Sequence, residues 1–127
     1  MKHILIVDDD PVSILILKKN LELIHVTEEI TTFSNGKEAF VFFKEQYNEE
    51  ENYFIFLDIN MPHMNGWEFL NEIDPFVKKI NTYIFILTSS INKVDMDKAT
   101  QYLLIEKYLT KPISKDALKE IKDKNDL

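Results

Sequence analysis

No cysteine occurs among the 127 residues, which excludes disulfides, thiolate metal sites and thiol catalysis. No apolar stretch approaches the roughly 20 residues that a helix needs to cross a bilayer. Met1-Lys2-His3 leads into a short apolar run that stops at Asp8, which is not the layout of a secretory leader. Basic residues are in deficit, 15 against 22 acidic, for a formal charge of −7. Neutralising nucleic-acid phosphates takes a clustered basic face, so direct nucleic-acid binding is not expected. The chain has no internal repeat, no low-complexity linker and no second apolar cluster. The expectation is therefore one domain over residues 1–127, cytoplasmic and independent of membranes. Its surplus acid keeps it soluble or meets cations and basic partners.

What is present is 45% hydrophobic, enough for one independent core at this length. Five short apolar runs alternate with five helix-like segments. The runs are Ile4–Val7, Ile30–Phe33, Tyr53–Leu57, Tyr83–Leu87 and the weaker Tyr108–Leu109. The first, third and fourth are nearly continuous in Ile, Leu, Val and Phe, as in strands covered on both faces. Helical patterns fall near residues 12–24, 36–47, 66–79, 92–104 and 114–124. Strict βα alternation predicts a parallel sheet with helices on both sides. Asp10-Pro11 reads as an N-cap with proline at the first helical position, and Ser114 as the cap of the last helix. Asn35-Gly36 marks a turn, and Met61-Pro62 and Asn65-Gly66 bracket a loop.

Open parallel sheets bind ligands outside the carboxyl ends of their strands. Asp8, Asp9 and Asp10 follow the first run, Asp58 and Asn60 the third, Thr88, Ser89 and Ser90 the fourth, and Lys111-Pro112 the fifth. Two unit charges about 4 Å apart repel by about 4 kcal/mol at an effective dielectric of 20. Acids gathered this way hold a cation, keep a proton, or do both. Oxygen ligands without His or Cys select a hard ion of the Mg²⁺ kind. Lys111 would repel that ion unless a further anion arrived, and a phosphoryl group supplies one. Asp58 is then the available nucleophile, giving an aspartyl phosphate. His3, His25 and His63 share no ligand spacing, and Trp67 reads as packing.

Four segments, Ile4 to Pro11 (ILIVDDDP), Phe56 to Gly66 (FLDINMPHMNG), Ile86 to Ser90 (ILTSS) and Tyr108 to Pro112 (YLTKP), resemble the receiver domain of two-component response regulators. The likeness is to the single-domain type seen in chemotaxis, and it covers essentially the whole chain. It implies a flavodoxin-like (βα)5 fold, an α/β doubly wound sandwich with a five-stranded parallel sheet in the order 2-1-3-4-5. It implies phosphorylation of Asp58 by a histidine kinase or histidine phosphotransfer protein, with Mg²⁺ or Mn²⁺ as cofactor. By the same resemblance Asp9 ligates the metal directly, Asp8 largely through water, and Asn60 through its backbone carbonyl. Lys111 and Thr88 contact the phosphoryl group, and Tyr108 turns in step with Thr88 to switch the face of the fourth helix, fifth strand and fifth helix. Asn60 and Ser90 flank the site and tune the lifetime of the phosphoryl group. Asn65 stands where the family usually has Asp, in the turn and outside the ligand set.

The chain is thus expected to be a signalling phosphoacceptor and not a turnover enzyme, acting through an unspecified downstream protein. Two other readings remain. Asp8-Asp9-Asp10-Pro11 also fits the Asp-x-Asp start of a haloacid-dehalogenase-like phosphatase, with Asp8 as nucleophile and Asp10 as acid/base, although Asp58 would then have no task. A phosphorylation-silent interaction module of the same fold is the other. Ile14, Leu15, Ile16 and Leu17 exceed the single apolar stripe that one core face needs, so part of the first helix is a candidate docking surface.

Overall fold

The computed structural model describes residues 1–89 and 92–127. Its elements run β1 (Lys2–Val7), α1 (Pro11–Leu23), β2 (Ile30–Phe33), α2 (Gly36–Gln46), β3 (Asn52–Asp58), α3 (Gly66–Ile73), β4 (Thr82–Thr88), α4 (Lys93–Ala99), β5 (Ile105–Thr110) and α5 (Lys115–Asn125). The five strands are parallel in the order β2-β1-β3-β4-β5, as expected.

Side chains alternate across the pleat and split the core in two. Leu5, Val7, Ile55, Leu57, Ile84 and Ile86 pack with Phe43, Phe69 and Leu70 of α2 and α3. Ile4, Ile6, Phe54, Phe56, Phe85 and Leu87 face Leu17 and Leu21 of α1 and Leu118 and Ile121 of α5. The Phe56 and Phe85 rings stack with centroids 5.0 Å apart. Each such ring contributes on the order of 2 kcal/mol by leaving water. Asp58 has the same parity as Phe54 and Phe56, so it belongs to the α1/α5 side of the sheet.

Three element lengths depart from the sequence reading. α3 ends at Ile73 instead of near 79. Pro75 has no N–H for the carbonyl of Asn71, and its ring crowds that oxygen. α4 ends at Ala99; Thr100 turns its hydroxyl back onto the Asp97 carbonyl at 2.6 Å, and Tyr102 leaves the helical path to stack on Trp67. β5 is longer, starting at Ile105, with a bulge opposite Ile84 and Phe85. It is an edge strand, and its half-exposed Glu106 and Lys107 hide it from an apolar count.

The caps that aim the strand ends follow local chemistry. Asp10 caps α1 by accepting from the Val12 N–H at 3.0 Å, with Pro11 opening the helix. Asn65 and Glu68 form a reciprocal capping box on α3, and Ser114 Oγ accepts from Ala117 N–H on α5. No helix among the described residues is long and apolar enough to cross a membrane.

Candidate functional site

Asp8, Asp9 and Asp58 meet where β1 and β3 end side by side. Each offers an oxygen within 4.8 Å of the others. Asp8 and Asp58 are buried while Asp9 is exposed. The Asp10 N–H donates to Asp8 Oδ1 at 2.9 Å, and the Asn60 N–H donates to Asp58 Oδ1 at 3.1 Å. Both carboxylates are therefore oriented by the backbone two residues on, as Asx turns do.

Lys111 arrives from the end of β5. Its Nζ lies 2.6 Å from Asp8 Oδ2 and 3.3 Å from Asp58 Oδ2. Its own N–H donates to the Thr88 carbonyl at 2.6 Å. Burial disfavours the ammonium, but the bond to Asp8 and the charges of Asp58 and Asp8 outweigh it and raise the lysine pKa. Burial pushes the Asp58 carboxyl up to about 6, against the opposing pull of the Asn60 N–H and Lys111; the Asp8 charge adds to the rise.

The cluster suits a hard divalent cation. Three carboxylates against one ammonium leave it net negative. Asp8 Oδ2 is enclosed, and among the described residues its counter-charge is the Lys111 ammonium 2.6 Å away. Should Lys111 turn to an incoming anion, that enclosed oxygen would need another cation in its place.

A cavity of about 510 Å³ opens over these groups, with Asp9, Asp58, Asn60 and Lys111 at its polar end and Val12 and Ile16 of α1 at its apolar end. Thr88 is buried at the end of β4. The Tyr108 hydroxyl is enclosed beside Thr88, and burial raises its pKa while Thr88 opposes the rise and Asp95 adds to it. Asn60 is exposed at the rim. Ser90, read as a lifetime-tuning position, lies outside the described residues.

Asp10 is occupied elsewhere. Its carboxylate accepts from Val12 N–H and from Ser13 Oγ, both at 3.0 Å, and the Ser13 bond leads the causes that lower its pKa. Asp10 is thus engaged as the cap of α1, and these contacts lend no support to the acid/base role that a phosphatase centred on Asp8 would give it. Trp67 is buried, as the packing reading has it. Two contributors were not visible in the sequence. Gly36 meets the β3–α3 loop, its N–H donating to the Met64 carbonyl at 3.2 Å, and Asn20 reaches the turn after Lys111.

Fold and site together define a receiver-type module. The family model of the response regulator receiver domain matches residues 4–122, and the chain belongs to that family. It is 33% identical over 116 residues to response regulator Rcp1 of Synechocystis, covering 87% of this chain and 76% of that protein. It is 29% identical over 120 residues to the 3′,5′-cyclic-nucleotide phosphodiesterase regA of Dictyostelium discoideum, covering 93% of this chain but only 14% of regA. Three further relatives are histidine kinases, of which the chain likewise spans 14% or less. The crystal structure of a two-component response regulator from Cytophaga hutchinsonii superimposes with a TM-score of 0.87 at 28% identity, covering 98% of this chain and 96% of that one.

Proposed function

We propose that this receiver domain accepts a phosphoryl group on Asp58 from a phosphohistidine. The observation that carries the reading is the bridging of Asp8 and Asp58 by Lys111 beside a third carboxylate. That arrangement is anionic enough to take a cation, yet keeps a cation of its own for an incoming anion.

In the transfer, an ionised Asp58 oxygen attacks phosphorus. The new P–O bond forms as the P–N bond to the donor imidazole breaks, and the departing nitrogen keeps the electron pair. Asp8, Asp9, Asp58 and the Asn60 carbonyl would hold Mg²⁺ or Mn²⁺, which when bound supplies charge neutralisation for the phosphoryl oxygens. Lys111 leaves its carboxylate partners to meet those oxygens. Thr88 donates to them in the phosphorylated state, and Tyr108 beside it transmits the change to the face of α4, β5 and α5. The differential bonding of the phosphoryl group to the two states drives that shift. Asn60 and Ser90 set how readily water reaches the acyl phosphate, and so its lifetime.

The donor, a histidine kinase or a histidine phosphotransfer protein, docks on the exposed apolar face of α1. Val12, Leu15 and Ile16 are 62%, 67% and 40% exposed there, and Val12 and Ile16 border the cavity itself. The domain works in the cytoplasm as a phosphoacceptor without turnover of its own, and hands its signal to a protein partner. The test is acetyl phosphate with Mg²⁺. The intact mass should rise by one phosphoryl group, and Asp58→Asn should abolish the rise. An unchanged mass in the parent chain under strong donor conditions would leave the phosphorylation-silent module as the better reading.

A further inference from the structure

Asn20 sits in the third turn of α1, between the buried Leu17 and Leu21. An asparagine is a poor helix former, and a half-buried amide needs a partner. Its side-chain Nδ2 donates to the carbonyl of Ile113 at 3.1 Å, 93 residues away in the chain.

Ile113 is buried and is the second residue after Lys111. The Lys111 peptide is held from β4 by its bond to the Thr88 carbonyl. Pro112 follows and has no N–H with which to anchor the turn. Ser114 then uses its hydroxyl to cap α5. The bond from Asn20 thus fixes the downstream side of the segment that presents Lys111. The head of the same helix, through the Asp10 N–H, orients Asp8. One rigid element therefore orients Asp8 at its N-cap and holds the segment that carries the lysine at its third turn.

We infer that Asn20 is a positioning residue for Lys111, keeping its ammonium in register with Asp58. Charge stabilisation depends on ångström-scale placement of the stabilising group, so loss of the Asn20 bond slows phosphorylation although Asp8, Asp9, Asp58 and Lys111 are all still present. The inference rests on the proposed phosphoacceptor role, in which Lys111 meets the phosphoryl oxygens.

The test is the rate of phosphorylation by acetyl phosphate at saturating Mg²⁺ in Asn20→Ala, and in Asn20→Ser as a milder variant should the first fold poorly. Each is combined with Lys111→Ala. The full chain with Asn20 replaced should react about 5- to 10-fold more slowly, with no loss of Mg²⁺ affinity. In the Lys111→Ala background the same replacement should have no further effect. The Lys111 ¹³Cε resonance should move towards that of the solvated lysines. A folded variant that reacts at the parent rate overturns the inference. An equal slowing with and without Lys111 also overturns it, because Asn20 would then only stitch α1 to the start of α5. Should the parent chain take up no phosphoryl group, the underlying reading fails, and the Lys111 resonance alone decides whether Asn20 places the lysine.

Discussion

Lys111 Nζ stands 2.6 Å from Asp8 Oδ2, so the ammonium occupies the acids that a cation needs. On the proposed function, lysine and metal would therefore compete before phosphorylation and cooperate after it. Lys111→Met should bind Mg²⁺ several-fold more tightly and take phosphoryl from acetyl phosphate roughly 10- to 100-fold more slowly. Calorimetric titration with Mg²⁺ checks the first half; affinity equal to or weaker than that of the parent chain would contradict the competition.

Asp58 ties stability to pH. Its carboxyl is held at about 6 against an ordinary value of 3.8, so the folded chain binds the proton more tightly than the unfolded one. The resulting stabilisation is complete below the ordinary value and is lost as pH rises through about 6. Asp58→Asn removes the loss. In metal-free buffer its stability advantage should be absent near pH 3.5 and grow to on the order of 2 kcal/mol above pH 7. Saturating Mg²⁺ should shrink that advantage. Denaturant titrations at a series of pH values read it directly, and a pH-independent difference would speak against the buried carboxyl as its source.

His25 closes α1 in a left-handed conformation with φ 67. Val26 N–H bonds the Leu21 carbonyl and His25 N–H that of Glu22, each at 3.0 Å, which is the Schellman arrangement that favours glycine. His25→Gly should stabilise the fold by roughly 0.5–1 kcal/mol in chemical denaturation, with phosphorylation unaffected.

Gly36 presses on the loop that follows β3. A Cβ there would lie 2.5 Å from the Met64 carbonyl oxygen, a backbone atom that cannot rotate away. Gly36→Ala should cost about 1–3 kcal/mol, measured by thermal unfolding. It should also weaken Mg²⁺ binding, because the displaced loop carries Asn60. Stability equal to that of the parent chain would mean that the loop yields freely.

How far the site was readable from sequence depended on how local its chemistry is. Ile4–Val7, Tyr53–Leu57 and Tyr83–Leu87 announced buried strands because both of their faces are covered, and the strand ends then placed Asp8, Asp58, Thr88 and Lys111 together. Asp10 and Ser114 were readable as caps because a cap needs only its own helix. The shortened α3 was foreshadowed by Pro75, whose missing donor an apolar count overlooks. Long-range polar contacts left no such trace. Asn81 is buried and donates to the carbonyls of Asn48 and Glu51 while accepting from the Tyr47 hydroxyl, a clamp joining loops 30 or more residues apart. Asn20 escaped for the same reason, since a polar residue in a helix acquires its role only when the distant Ile113 carbonyl arrives.

The proposed function requires that Asp58, and neither Asp8 nor Asp9, takes the phosphoryl group. Borohydride reduces an acyl phosphate to the alcohol, so a phosphorylated aspartate is converted to homoserine. The protein should be phosphorylated with acetyl phosphate and Mg²⁺, reduced, digested and mapped by peptide mass. Homoserine should appear at position 58 alone, and homoserine at position 8 or 9 with Asp58 intact would contradict phosphorylation of Asp58.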